Sequence, residues 1–134
     1  MTSLIKIEGI GAKYVEKLRA QGIRSTEALL TNGATPKNRQ DLAARSGVSE
    51  TLILEWVNLA DLFRIKGIGE EYSDLLEEAG VDTVPELAQR NPANLYETLL
   101  SVNQKKKLVR KLPTQSQVSS WVSQAKALPR LITY

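Results

Sequence analysis

The residue types able to do chemistry in this chain of 134 residues are glycines and lysines. Two Gly-Ile-Gly turns, Gly9-Ile10-Gly11 and Gly67-Ile68-Gly69, each stand just before a stretch of helical apolar periodicity. Glycine permits the backbone conformations and the close approach that such a turn needs. The N–H groups at the start of the following helix then face outward, where they can hold an anionic oxygen. A second feature is the basic run Lys105, Lys106, Lys107, Arg110 and Lys111. On a helix, positions 107, 110 and 111 share a face and 106 neighbours 110, so the spacing predicts one broad cationic stripe. A stripe of this kind either meets phosphates or an acidic protein surface, or is a solvated face that keeps the helix in water.

The absent types narrow the chemistry further. Without Cys there is no disulfide, thiolate metal site or thiol nucleophile, and without His there is no His-assisted catalysis or His ligand. Glu70-Glu71 and Glu77-Glu78 read as solvated helix-surface charge, and no carboxylate pair has the spacing of an acid–base couple. The expectation is therefore a protein that is not an enzyme and holds no metal or cofactor. A content of 42% hydrophobic and 25% charged residues is globular. No apolar stretch approaches the roughly 18 residues of a membrane span, and residues 1–6 lack a signal-peptide layout, which predicts a soluble cytoplasmic protein with no membrane partner. The net charge of +3 is unevenly spread: residues 1–97 carry 11 basic and 15 acidic side chains, residues 98–134 carry 7 basic and none acidic. A localised positive field at one end of the chain is expected to attract phosphates or acidic surfaces.

The elements that position these residues are organised by an internal repeat. Ile7-Glu8-Gly9-Ile10-Gly11-Ala12-Lys13-Tyr14 recurs 58 positions later as Ile65-Lys66-Gly67-Ile68-Gly69-Glu70-Glu71-Tyr72. The match continues with Leu18 and Leu76, Gly22 and Gly80, Ile23 and Val81, Ser25 and Thr83, and Leu29 and Leu87. Trp56-Val57 aligns with Trp121-Val122 at an offset of 65, which predicts an extra helical segment of seven residues in the second copy, near the basic run. Helices are expected after Gly11 and Gly69, stopped by Gly22 and Gly80. Ser25 and Thr83 are expected N-caps, Thr83 with Glu86 forming a capping box, and Pro36 and Pro92 fit first turns. Ser49 is expected to cap an apolar helix from Glu50 to Phe63 that joins the two copies, and Thr114 or Ser116 its counterpart, which runs to Leu128 before Pro129. No stretch alternates as a strand does. The expected fold is all-α: two tandem repeats of about five short helices each, residues 1–62 and 63–134.

Ile-x-Gly-Ile-Gly leading into a helix resembles the helix-hairpin-helix motif. Over nearly its full length the chain is also similar to an uncharacterised bacterial family, catalogued as a domain of unknown function, that carries two such hairpins. The motif's resemblance implies contact with the nucleic-acid backbone without sequence reading. Its phosphate-facing positions would be Gly9, Ile10, Gly11, Ala12 and Lys13 in the first copy and, less strongly, Gly67, Ile68 and Gly69 in the second. Glu70 and Glu71 follow the second turn; they suit a helix N-terminus and repel a phosphate. The alternative is that both turns simply pack helices, with Ile10 and Ile68 as core plugs.

Two functions follow. One is a non-catalytic binder of nucleic-acid backbone, DNA more than RNA, using Gly9–Lys13 and the 105–111 cations. The other is a protein-interaction adaptor with architectural hairpins, whose basic face or 130–134 tail docks an acidic protein surface. Leu42–Ser49 with the next helix also resembles a helix-turn-helix. That helix offers Glu50, Glu55 and Asp61 where a recognition helix needs donors, so this segment reads as packing. Trp56 and Trp121 read as equivalent core anchors.

Overall fold

In a computed structural model, residues 2–7 and 9–134 are described. They form a 3₁₀ turn, Leu4–Lys6, and eight α-helices: α1 Gly11–Arg19, α2 Thr26–Asn32, α3 Pro36–Ser46, α4 Glu50–Leu62, α5 Glu70–Glu78, α6 Val84–Ala88, α7 Pro92–Lys106 and α8 Gln115–Ala127. No strand occurs among the described residues, and the fold class is all-α.

Side-chain caps place six of these helix starts. A hydroxyl accepts the N–H three residues on at Ser25 for α2 (3.0 Å), Thr35 for α3 (3.2 Å), Ser49 for α4 (3.1 Å) and Thr83 for α6 (3.3 Å). Asn91 does the same for α7 through its amide oxygen at 3.1 Å. At α8 the cap is Thr114, which completes a reciprocal capping box with Gln117. In contrast, α1 and α5 begin without a side-chain cap, and these are the helices that follow the Gly-Ile-Gly turns. Their C-terminal ends close alike. Ile23 N–H reaches Leu18 O and Gly22 N–H reaches Arg19 O, while Val81 and Gly80 reach Leu76 and Glu77, the paired bonds of a Schellman motif.

The chain divides into two units, Met1–Asp61 with Leu131–Tyr134, and Leu62–Arg130. The first contains the 3₁₀ turn, α1 to α3 and all but the last residue of α4. Thr26 N–H donates to Thr2 O at 2.9 Å and Ser3 bridges Ser25, so the segment entering the first turn is tied to the cap of α2. Leu4, Ile7, Ile10, Leu18, Ile23, Leu29, Leu42 and Ile53 are buried. The Tyr14 ring lies against Trp56, with centroids 5.1 Å apart and planes tilted by 56°. Gly47 ends α3 in the left-handed region, and buried Val48 follows it before α4. This is the packing reading of the helix-turn-helix-like segment.

In the second unit α8 packs on α6 and α7, and α5 packs on α7. Leu75, Leu76, Val81, Leu87, Leu99, Val118, Trp121 and Val122 are buried. Tyr72 lies against Trp121 with centroids 5.2 Å apart and planes tilted by 53°. Both indoles are core anchors, each 2% exposed, which removes them as stacking platforms for bases.

Three expectations are corrected. The second unit has four α-helices among its described residues, not about five, and the first has its four with the 3₁₀ turn. The extra seven-residue helical segment is absent. Instead, α7 is 15 residues long against 11 for α3, and residues 107–114 run outside any helix. The reason is local: Lys107 caps α7 in the left-handed region (φ 51°), and Asn103 then clamps Val109 from both sides, accepting its N–H at 3.0 Å and donating to its carbonyl at 3.3 Å. Finally, residues Leu131–Tyr134, placed at the end of the second copy by the sequence division, form part of the first unit.

Candidate functional site

Each Gly-Ile-Gly turn is closed by one main-chain bond of the same length. Ile10 N–H donates to Ile7 O at 3.2 Å, and Ile68 N–H donates to Ile65 O at 3.2 Å. Both central isoleucines point into a core, at 1% and 5% exposure, which leaves the flanking glycines at the surface. Burying the apolar side chain anchors the turn, and the tight main-chain path around it is what demands glycine.

In the first turn Gly9 and Gly11 both have positive φ, 80° and 70°. A Cβ at either would meet nothing within 4 Å, so the turn is bare on that side. Gly9, Gly11, Ala12 and Lys13 are exposed together, and the first turn of α1 holds no acidic residue. Lys17, one turn further, has its ammonium 5.7 Å from the centre of the Tyr14 ring. Glu8, between the two isoleucines, lies outside the described residues.

The second turn is backed by an indole, although Gly67 and Gly69 are exposed like their counterparts and a Cβ on Gly69 would meet nothing within 4 Å. Gly67 has φ 96°, whereas Gly69 is extended with φ −123°. A Cβ on Gly67 would come within 3.1 Å of Trp121 Nε1. On the entering side Gln124 grips the Lys66 peptide, accepting its N–H at 2.8 Å and donating to its carbonyl at 3.2 Å. Arg64 donates to Pro129 O at 2.7 Å. Glu70 and Glu71 occupy the first turn of α5, where they complement the helix dipole.

The basic run does not form the expected helical stripe. Lys105 and Lys106 end α7, Lys107 is its left-handed cap, and Arg110 and Lys111 belong to the extended segment. That segment lies against the acidic α5. Lys106 pairs with Glu78, Arg110 Nε is 3.8 Å from Glu71, and the Tyr72 hydroxyl donates to Lys111 O at 2.9 Å. Burial pushes the Asp74 carboxyl above its ordinary range, with neighbouring Glu78 adding to the shift and Lys106 opposing it. The uneven charge along the chain is thereby folded flat. The first unit carries 8 basic and 7 acidic side chains, net +1, and the second 10 and 8, net +2.

The structure thus brings Gly9, Ile10, Gly11, Ala12 and Lys13 together on one turn, and Gly67, Ile68 and Gly69 on another. It places Lys105, Lys106, Lys107, Arg110 and Lys111 in the second unit, where Lys106, Arg110 and Lys111 meet α5. Sequence reasoning missed Asn103 and Gln124, which set the conformations of the basic segment and the second turn. Neither had a counterpart in the repeat that would have marked it.

The chain belongs to the family described as the domain of unknown function DUF4332, whose model matches residues 8–128. No solved structure matches it. Among the described residues no helix is long and apolar enough to cross a membrane.

Proposed function

We propose that the protein is a non-catalytic tandem helix-hairpin-helix module that binds the backbone of nucleic acid, DNA in preference to RNA, through its first turn. The observation that carries this reading is the difference in capping. Six helices have their first N–H groups served by Ser, Thr or Asn, whereas α1 follows an exposed glycine turn with no side-chain cap and with Lys13 beside it. A phosphate oxygen suits such a start, because oriented amides and a lysine supply partial and full positive charge at one point. The second turn is an architectural counterpart, since Glu70 and Glu71 already stand where the phosphate would approach. Pairing of Lys106 and Arg110 with α5 carboxylates moves the weight of the interaction from the 105–111 run to the first turn.

Binding of this kind releases counterions, so affinity for a labelled duplex should fall steeply between about 50 and 200 mM salt. Reversing one phosphate-contacting charge, Lys13→Glu, should weaken binding at low salt by about tenfold or more. Lys37→Glu, an exposed control on α3, should leave it unchanged. Fluorescence anisotropy with matched DNA and RNA duplexes reads both. A Lys13→Glu variant that binds as tightly as the parent chain would overturn the reading.

A further inference from the structure

Residues Leu131–Tyr134 lie in the first unit with a set of contacts resembling those of a bound peptide. They have no regular secondary structure of their own. Thr133 N–H donates to Ala34 O at 2.8 Å, and Arg39 Nη2 donates to Thr133 O at 2.8 Å, so one residue's main chain is held on both its polar groups. Ile132 on one side is 3% exposed, and Tyr134 on the other lays its ring 5.8 Å from the Arg39 guanidinium carbon while its hydroxyl donates to Asn58 Oδ1 at 3.0 Å. Main-chain bonds supply affinity and alternate side chains supply selectivity, which is how extended peptides are recognised.

Part of the receiving side is fixed by contacts within residues 29–57. Gly33 N–H closes α2 on Leu29 O at 2.9 Å, and Arg39 Nη1 holds Gly33 O at 2.8 Å. Val57 sits so close under Gly33 that a Cβ there would fall 2.5 Å from its methyl group. Arg39 is therefore fixed by its own unit through one nitrogen and offers the other to a carbonyl. A guanidinium that is 3% exposed needs that second acceptor. A cavity of about 360 Å³ continues beyond it, lined by Pro36, Arg39, Gln40, Leu54 and Tyr134 among others. Within the occupant Ile132 is the buried apolar anchor, while Leu131 is 44% and Tyr134 62% exposed.

We propose that the Gly33–Arg39–Asn58 surface is a peptide-docking site whose occupant, Leu131–Tyr134 of this chain, is an exchangeable ligand held in place by its covalent attachment. The peptide it fits is short and extended, with an aliphatic residue, a small polar residue and an aromatic residue bearing a hydroxyl. Attachment gives the intrachain segment a high effective concentration, so the site is masked until that segment is displaced.

The test uses the full chain with Ile132→Asp and Tyr134→Ala, which vacates the site, and a fluorescent peptide of residues 128–134 added in trans. Saturable binding to this variant is expected, with the parent chain binding at least about tenfold more weakly because its own segment competes. Arg39→Met in the vacated background should abolish it. Absence of saturable binding to the folded vacated variant, or equal binding to parent and variant, overturns the proposal. Hydrogen exchange on the unaltered chain tests it independently of whether the variants fold. Thr133 N–H should exchange faster than the core amide of Ile53, and exchange of both at one rate would make the segment an integral part of the unit and overturn the proposal.

Discussion

The two Gly-Ile-Gly turns repeat one local design in two surroundings. Both bury the isoleucine, close on a 3.2 Å main-chain bond and lead into an uncapped helix that ends in a Schellman motif. Around Gly9 there is open space, two left-handed glycines and a lysine; around Gly67 there is an indole, a glutamine clamp and two carboxylates. The same closing bond and the same buried isoleucine therefore do not make identical sites, and the second glycine differs too, left-handed at Gly11 and extended at Gly69. What differs is the support behind the turn and the sign of charge beside it, and that charge decides whether an anion can replace water on those amides.

The largest test of this comparison is removal of each indole. Trp56→Ala and Trp121→Ala should each destabilise the protein by about 3–5 kcal/mol in urea unfolding, since both are buried anchors against a tyrosine. They should differ in one respect: hydrogen exchange at residues 67–69 should lose protection disproportionately in Trp121→Ala, because the indole backs Gly67, while the first turn has no such support to lose. A uniform loss in both variants would erase the distinction.

A smaller effect is expected from the glycines themselves. Gly9→Ala and Gly67→Ala both force a Cβ into left-handed backbone, at a cost of about 1–2 kcal/mol. Only Gly67→Ala also presses on Trp121, so its thermal midpoint should fall further than that of Gly9→Ala. Equal midpoints would mean that the indole gives way freely and the second turn is no tighter than the first.

The smallest effect concerns the acidic helix that follows the second turn. The Asp74 carboxyl is raised by burial and by Glu78, so the native state holds this proton more tightly than the unfolded chain. Its ionisation opposes folding, and the opposition grows as pH rises through the raised value. Asp74→Asn should therefore stabilise slightly at neutral pH, with the gain disappearing at pH values below the ordinary aspartate range. Thermal midpoints of parent and variant across the acid range check the sign. A variant less stable at neutral pH would show that the carboxylate contributes through Lys106 more than it loses to Glu78.

Helices and their caps were legible because they depend on neighbours in the chain. Ser25, Ser49, Thr83 and Thr114 lie three residues before the N–H they accept, a spacing visible in any sequence, and the prolines at 36 and 92 mark the starts of α3 and α7. The Gly-Ile-Gly turns were legible for the same reason. The basic run misled because Lys105–Lys111 has good helical spacing, and what ends the helix at Lys106 is a side chain, Asn103, folding forward onto Val109. Charge counted along the chain misled for a related reason. The acidic residues of α5 stand some 30 positions before the cations they meet, as in the pairing of Glu78 with Lys106.

By itself, then, the sequence determined the all-α class, most helix limits and the existence of two like turns, because hydrogen bonds spanning three to five residues and apolar periodicity settle those locally. Tertiary structure alone decided which turn is backed by an indole, which cations stand beside carboxylates and where residues 131–134 dock. Each of those depends on a partner far away in the chain: Trp121 for Gly67, Glu71 for Arg110, Arg39 for Thr133. Contacts of that range carry no periodic signature, and they exist only once the cores have brought the segments together.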